Sequence, residues 1–296
     1  MILVAGSANL DFVVRAPRIP VPGETVLGSG FRTFAGGKGA NQAIACARAG
    51  GVATQMLLGL GRDSFAEPIE ASLNAAGVAL HVHRPADLPT GTAFICVSDD
   101  AENAITVAPG ANSALRAEHL PDLAGVSHLL LQLETPLPTV AAYAAAARRA
   151  GVKVVLNAAP AQPLLPDLLA LVDVLVVNEG ELASISNCTG SVDDCLAKLP
   201  HVPCVVVTLG ACGCVARVAS KTTTQTAFAV TAVDTTAAGD TFCGVLVASL
   251  AQQHNLAHAL VRASAAAALA CTRPGAQDSI PTCDEIDQFL TAQTAP

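Results

Sequence analysis

The sequence predicts an α/β protein: a mainly parallel sheet with helices on both faces, plus a small β-sheet standing apart from it. Two observations carry this reading. Short apolar runs rich in β-branched residues alternate along the chain with alanine-rich stretches of helical length. That alternation is the pattern of a parallel sheet covered on both sides. Two further stretches, 12–34 and 92–107, break the rhythm and show no helical period.

Taken in order, residues 2–6 read as a buried strand. Residues 12–34 follow, with Pro17, Pro20 and Pro22 excluding a helix there. A glycine-rich turn then enters a helix over 38–49, and a strand at 55–59 leads to a helix over 64–76. His81 and His83 alternate in a further strand. Without other ligands near them they read as exposed histidines rather than a metal site. Residues 92–107 form two short strands about the turn Asp99-Asp100-Ala101-Glu102. The rhythm then resumes with strands at 128–133, 153–157, 174–178 and 204–209 and helices over 137–150, 179–187 and 238–254. Segments 12–34 and 90–108 are expected to pair into one β lid. They would interrupt an α/β domain made of 1–11, 35–89 and 109–296. The alternative is two unrelated surface hairpins.

Composition narrows the function. Of 296 residues, 52% are hydrophobic and 14% charged, which excludes a disordered chain. A net charge of −8 without a basic cluster argues against nucleic-acid binding. The apolar run 263–271 is shorter than the roughly 20 residues that cross a bilayer. The first residues lack the basic and apolar regions of a signal peptide, so a cytoplasmic location is expected. The ten cysteines are irregularly spaced and read as buried thiols.

Three constellations can carry chemistry. In Val233-Asp234-Thr235-Thr236-Ala237-Ala238-Gly239-Asp240-Thr241-Phe242 a strand gives way to a helix. The small residues Ala237, Ala238 and Gly239 let backbone amides approach a ligand, and the helix start adds free N–H groups and a positive dipole end. Asp240 beside such an anion hole suits a general base for a hydroxyl attacking a phosphoryl group, or equally a residue that stabilises the helix start. Gly36-Gly37-Lys38-Gly39-Ala40-Asn41-Gln42-Ala43 has neither the Walker nor the dinucleotide spacing. It fits a turn whose bare backbone meets sugar hydroxyls, or simply a turn. Asn9-Leu10-Asp11 places an amide and a carboxylate two residues apart, able to point the same way. Glu134, Asn178, Glu179 and Glu181 stand at expected strand ends, where ligands of α/β sheets collect and where such groups suit hydrated magnesium or helix caps.

Together the two long motifs resemble the signatures of the ribokinase family of carbohydrate kinases. Pro22-Gly23-Glu24-Thr25, Gly110-Ala111-Asn112, Gln132-Leu133-Glu134, Thr208-Leu209-Gly210 and Thr272-Arg273-Pro274-Gly275-Ala276 extend the similarity almost end to end. The resemblance implies phosphoryl transfer from ATP to the 5-hydroxyl of a pentose such as ribose. The sugar would meet Asn9, Asp11, Gly37, Lys38, Asn41 and Glu134. Asp240 would be the base, and the amides from Ala237 to Asp240 the anion hole. Asn178 and Glu181 would serve the phosphates and Mg2+, with Thr208, Gly210, Gly213 and Ser264 along the nucleotide. A monovalent cation, K+, would lie among Asp234, Thr236, Ala270, Arg273, Gly275 and Ser279. The resemblance also implies a homodimer joined through the lids.

Three places depart from the family pattern. Ser264 replaces a larger polar residue, Asn157-Ala158-Ala159-Pro160 replaces Asn-Pro-Ala-Pro, and the turn at 99–101 lacks a glycine. Rival readings are a kinase for 2-deoxyribose, fructose, a keto-deoxy sugar acid or a nucleoside, and a non-catalytic sugar-binding protein. A dinucleotide-dependent oxidoreductase is disfavoured by the missing fingerprint.

Overall fold

The computed structural model describes residues 1–100 and 102–294. In chain order its first elements are β1 (Ile2–Ala5), β2 (Asn9–Ala16), β3 (Ser29–Gly36), α1 (Lys38–Ile44), β4 (Thr54–Gly59), α2 (Ala66–Ala75) and β5 (Ala79–His83). Next come β6 (Gly91–Ser98), β7 (Asn103–Ala108), β8 (His128–Leu131), α3 (Leu137–Arg149), β9 (Lys153–Asn157), α4 (Pro166–Leu169) and β10 (Val174–Asn178). The chain closes with α5 (Glu179–Ser186), α6 (Val192–Ala197), β11 (Cys204–Thr208), β12 (Cys214–Val218), β13 (Lys221–Gln225), α7 (Ala238–Ala251), α8 (Leu256–Cys271) and α9 (Cys283–Thr294).

Nine strands form one sheet in the order β13-β12-β11-β10-β9-β8-β1-β4-β5. Every pairing from β11 to β5 is parallel, and the β11–β12 and β12–β13 pairings are antiparallel. The uniformly apolar β1 is the centre of this sheet: Ile2 and Val4 pack into the core under α1, α2, α7 and α8, while Leu3 and Ala5 pack on the opposite face under α3 and α5. A strand buried on both faces cannot afford a polar alternation, which is why 2–6 reads as a continuous apolar run. Truncating a side chain such as the fully buried Leu130 to alanine would cost about 2–5 kcal/mol.

The chain leaves β1 in one direction through β4 to β5, and in the other through β8 to β11. The carboxyl ends of β1 and β8 therefore border a switch point, where open α/β sheets gather ligands.

The two rhythm-breaking segments form a separate four-stranded sheet in the order β3-β2-β6-β7. Its central pair, β2 and β6, is parallel and its outer pairs are antiparallel. They are therefore one sheet and not two unrelated hairpins. The turn expected at 99–102 includes Ala101, which lies outside the described residues.

Two expectations are corrected. His81 and His83 are half-buried rather than exposed: His81 pairs with Gln55 at 3.0 Å, and His83 stacks on His119 with ring centroids 3.6 Å apart. Of the cysteines, five are buried, but Cys96, Cys188, Cys271 and Cys283 are half-buried and Cys212 is exposed. Among the described residues, no helix is long and apolar enough to cross a membrane.

Candidate active site

Asn9 and Asp11 begin β2 and share one face of it. In the four-stranded sheet Asn9 is paired with a glycine on each side, Gly91 and Gly36, and Asp11, paired with Phe34 and Ala93, lies diagonally across from Gly36. A Cβ on Gly36 would fall 2.1 Å from the Asp11 carboxylate, and one on Gly91 would fall 2.3 Å from Asn9 Oδ1. Glycine is thus required where these side chains lean across adjacent strands. Gly37 turns into α1 at φ 89°, and a Cβ there would meet Ala8 Cα and Asn9 N at 2.8 Å. Asn9 is held by Asn112, whose Nδ2 donates to Asn9 Oδ1 at 2.8 Å while its Oδ1 accepts from Ala8 N–H at 3.1 Å. The sequence reading did not single out Asn112 as a site residue.

Glu134 lies three residues past β8 and reaches the start of α1. It accepts the Lys38 backbone N–H at 3.1 Å and the Ser7 hydroxyl. The Asp240 carboxylate, with help from Glu134 and Glu181, holds the Lys38 ammonium above its ordinary value against the opposing effect of burial. Burial pushes the Asp11 carboxyl up to about 7; Glu134 and Asp240 add to the shift and Lys38 opposes it.

Asp240 lies in the first turn of α7 and is almost fully buried. Its Oδ2 accepts from Asn41 Nδ2 at 2.9 Å and its Oδ1 from Gln42 Nε2 at 2.8 Å. Ala237 caps α7 in the left-handed conformation, at φ 59°. Of the amides expected in the anion hole, that of Ala238 donates to the Thr235 carbonyl at 3.2 Å. Gly239 has open space around its missing Cβ, so packing does not require glycine there, and a ligand can approach the backbone.

A cavity of about 160 Å³ opens at this helix start. It gathers Lys38, Asn178, Glu181, Thr208, Ala237, Gly239 and Asp240 from the expected set, together with Asn157 and Cys243, which were not expected. Asn178 and Glu181 form a reciprocal cap on α5, each accepting the other's backbone N–H at 2.8 Å. Burial raises the Glu181 carboxyl. Gly210 begins an exposed turn at φ 55°, beyond Thr208. Gly213 has a packing reason of its own, since a Cβ there would lie 2.1 Å from the Gln225 carbonyl oxygen. Ser264 is buried in α8, with its hydroxyl 3.8 Å from Cys214 Sγ.

The residues assigned to a cation bring two loops together. Asp234 Oδ1 accepts from the Thr236 N–H at 2.9 Å and hydroxyl at 2.6 Å, and its Oδ2 accepts from Gly275 N–H at 3.0 Å. Burial works to raise the Asp234 carboxyl, but these hydrogen bonds hold it below its ordinary value. Ala270 accepts the Arg273 N–H at 3.2 Å, the Arg273 side chain pairs with Glu285, and the buried Ser279 hydroxyl donates to the Ala276 carbonyl at 2.8 Å. Among the described residues, no group of three or more histidine, cysteine or carboxylate side chains is placed to hold a metal ion. Asp234, Thr236 and Ser279 bring side-chain oxygens to these segments, and Ala270, Arg273 and Gly275 would have only their backbone carbonyls to offer a cation.

An open helix start, a buried carboxylate held by two amides and further polar groups nearby suit the chemistry of phosphoryl transfer. The chain matches the pfkB carbohydrate kinase family over residues 1–283. It belongs to that family. Ribokinase of Haemophilus influenzae is 39% identical over 298 residues, covering 97% of each chain. The solved ribokinase of Thermotoga maritima aligns with a TM-score of 0.90 at 34% identity, covering 98% of this chain and 99% of that one. Arabidopsis thaliana ribokinase, solved with ribose and ATP, aligns with a TM-score of 0.89 at 31% identity over 98% of each chain. As a pfkB carbohydrate kinase, the protein is an enzyme with a nearly full-length match to each of these relatives.

Proposed function

We propose that the protein transfers the γ-phosphoryl group of ATP to the 5-hydroxyl of ribose, giving ribose 5-phosphate and ADP. One observation carries this reading: Asp240 stands at the mouth of α7, its carboxylate held by two side-chain amides and facing the cavity beside Lys38. Asn9, Asp11, Gly37, Asn41 and Glu134 would bind the sugar. Asp240 would take the proton of the 5-hydroxyl as that oxygen attacks phosphorus in line. The start of α7, with Gly239 leaving the backbone open, would stabilise the charge on the transferring phosphoryl oxygens. Lys38 would add a positive charge near the same place. The lid would exclude water, the competing acceptor.

ATP would lie along Thr208, Gly210, Gly213 and Ser264, in a groove near the C-terminal helices. Glu134, Glu181 and Asp240 outnumber the single ammonium of Lys38, so a bare polyphosphate would be repelled. Mg2+ would supply the missing charge, and the Asn178 and Glu181 oxygens on the cavity wall suit its hydrated form. The oxygen-only set of Asp234, Thr236, Ala270, Arg273, Gly275 and Ser279 fits K+, which would hold the loop before α7 in place. Phe31, Phe94, Ile105 and Val107 leave apolar surface exposed on the lid sheet, which favours a homodimer through the lids. An ATP-dependent enzyme of this kind belongs in the cytoplasm.

The test is an ATP-consumption assay with magnesium and potassium against ribose, 2-deoxyribose, fructose, adenosine and keto-deoxygluconate. Ribose should give the highest kcat/KM. A clear preference for the nucleoside or the six-carbon acid contradicts the proposal.

A further inference from the structure

A chain of buried side-chain amides ends on Asp240. Gln132, just past β8, donates from Nε2 to Gln42 Oε1 at 2.6 Å. Gln42, on α1, donates from Nε2 to Asp240 Oδ1 at 2.8 Å and to Asn157 Oδ1 at 2.9 Å. Asn157, the last residue of β9, donates from Nδ2 to the Val176 carbonyl at 3.2 Å. Gln42 and Gln132 are fully buried. A close crossing of α1 and α7 makes this reach possible: a Cβ on Gly244 would fall 2.7 Å from the Gln42 carbonyl oxygen.

The direction of this chain follows from elementary chemistry. An ionised carboxylate only accepts hydrogen bonds, so Gln42 must present its NH2 group to Asp240. Its Oε1 then faces away and needs a donor, which Gln132 supplies. Both amide protons of Gln42 are committed, one to Asp240 and one to Asn157, so none is left for sugar or nucleotide. Fully buried amides are costly unless satisfied, so glutamine here is a poor choice for mere filling.

We infer that Gln42 is a positioning residue for Asp240, and that Gln132 and Asn157 fix which way its amide points. Asn41 holds one carboxylate oxygen and Gln42 the other, so the carboxylate cannot rotate away from the line of the incoming hydroxyl. This rests on the reading of Asp240 as the base. It adds a residue whose effect passes through Asp240 alone.

A double-mutant cycle tests it, with kcat and the KM values for ribose and ATP measured on the full-length enzyme. Gln42→Met keeps the length and removes the donor. It should lower kcat by about 10- to 100-fold, the usual weight of a hydrogen bond to a charged group, with both KM values within about twofold. In an Asp240→Asn background the same substitution should change kcat by less than about twofold. Gln132→Met, which leaves Gln42 in place but removes its orienting donor, should lower kcat by about 3- to 10-fold. A Gln42→Met enzyme with wild-type kcat, or one that loses the same factor in both backgrounds, overturns the inference. If Gln42→Met fails to fold, an unchanged kcat in Gln132→Met overturns it. Wild-type turnover in Asp240→Asn alone would instead refute the underlying reading of the base.

Discussion

The side-chain amide of Asn41 meets the carboxylate of Asp240 at 2.9 Å across 199 residues of sequence. This contact makes one site of the glycine-rich turn into α1 and the small-residue turn into α7. Asn41 Oδ1 is buried without a hydrogen-bond partner among the described residues. Buried acceptors are rarely left unpaired, so this oxygen is suited to a hydroxyl of the sugar. One side chain would then touch both the substrate and its base.

Sugar affinity should depend on pH through Asp11. Its folded value of about 7 lies above the ordinary 3.8, so the folded chain holds this proton more tightly than the unfolded chain. Its contribution to stability is fully present below the ordinary value and is lost as pH rises through about 7. An ionised Asp11 is the better acceptor for a sugar hydroxyl. Calorimetry should show ribose binding more tightly at about pH 8 than at about pH 6, with release of a proton on binding at the lower pH. The same change should lower the thermal stability of the ligand-free protein, and Asp11→Asn should flatten both trends. Affinity that does not change with pH would contradict this.

The lid sheet should respond to sugar. β2 carries Asn9 and Asp11, and it pairs with both β3 and β6, so a ligand on those side chains would steady three strands. Most of β3 and all of β7 are exposed or only partly buried, which favours local opening without ligand. Hydrogen exchange of amides in 12–34 and 92–107 should slow on adding ribose, and the sheet under α3 should change little. Equal exchange with and without ribose would remove the lid from the mechanism.

Potassium should raise turnover above its level in sodium or in a bulky organic cation at equal ionic strength. Asp234 already bridges the two loops through Gly275 N–H, and a cation held by their carbonyls would order the start of α7 before reaction. Asp234→Ala should abolish the difference between potassium and sodium. Activity indifferent to the cation would refute the site.

What could be read from the sequence and what could not divide along physical lines. The runs at 2–6 and 204–209 announced β1 and β11 because strands buried on both faces must be apolar throughout. The β12–β13 hairpin carried no such mark: Lys221–Gln225 reads KTTTQ and lies at the edge of the sheet, where burial makes little demand. The turns into α1 and α7 were visible because a φ of 89° at Gly37, and open space at Gly239, leave their trace as small residues. Gln42, Gln132 and Asn112 were not read as site residues. A glutamine or asparagine ordinarily suggests surface, and only the fold shows these buried, with Gln42 donating to Asp240, Gln132 to Gln42 and Asn112 to Asn9. Ser264 is read as a nucleotide contact, and the fold adds a neighbour that the sequence does not show: its hydroxyl lies 3.8 Å from Cys214 Sγ.

The most direct measurement is phosphorus NMR of the products formed from ribose and ATP, with magnesium and potassium present, by the wild-type enzyme and by Asp240→Asn. The wild type should yield ADP and ribose 5-phosphate in equal amounts. Asp240→Asn should form the same product with kcat lower by roughly two to four orders of magnitude, the usual weight of a general base, and with a smaller change in sugar affinity. Release of ADP without a phosphorylated sugar, phosphorylation at another position, or near-normal turnover by Asp240→Asn would contradict the account.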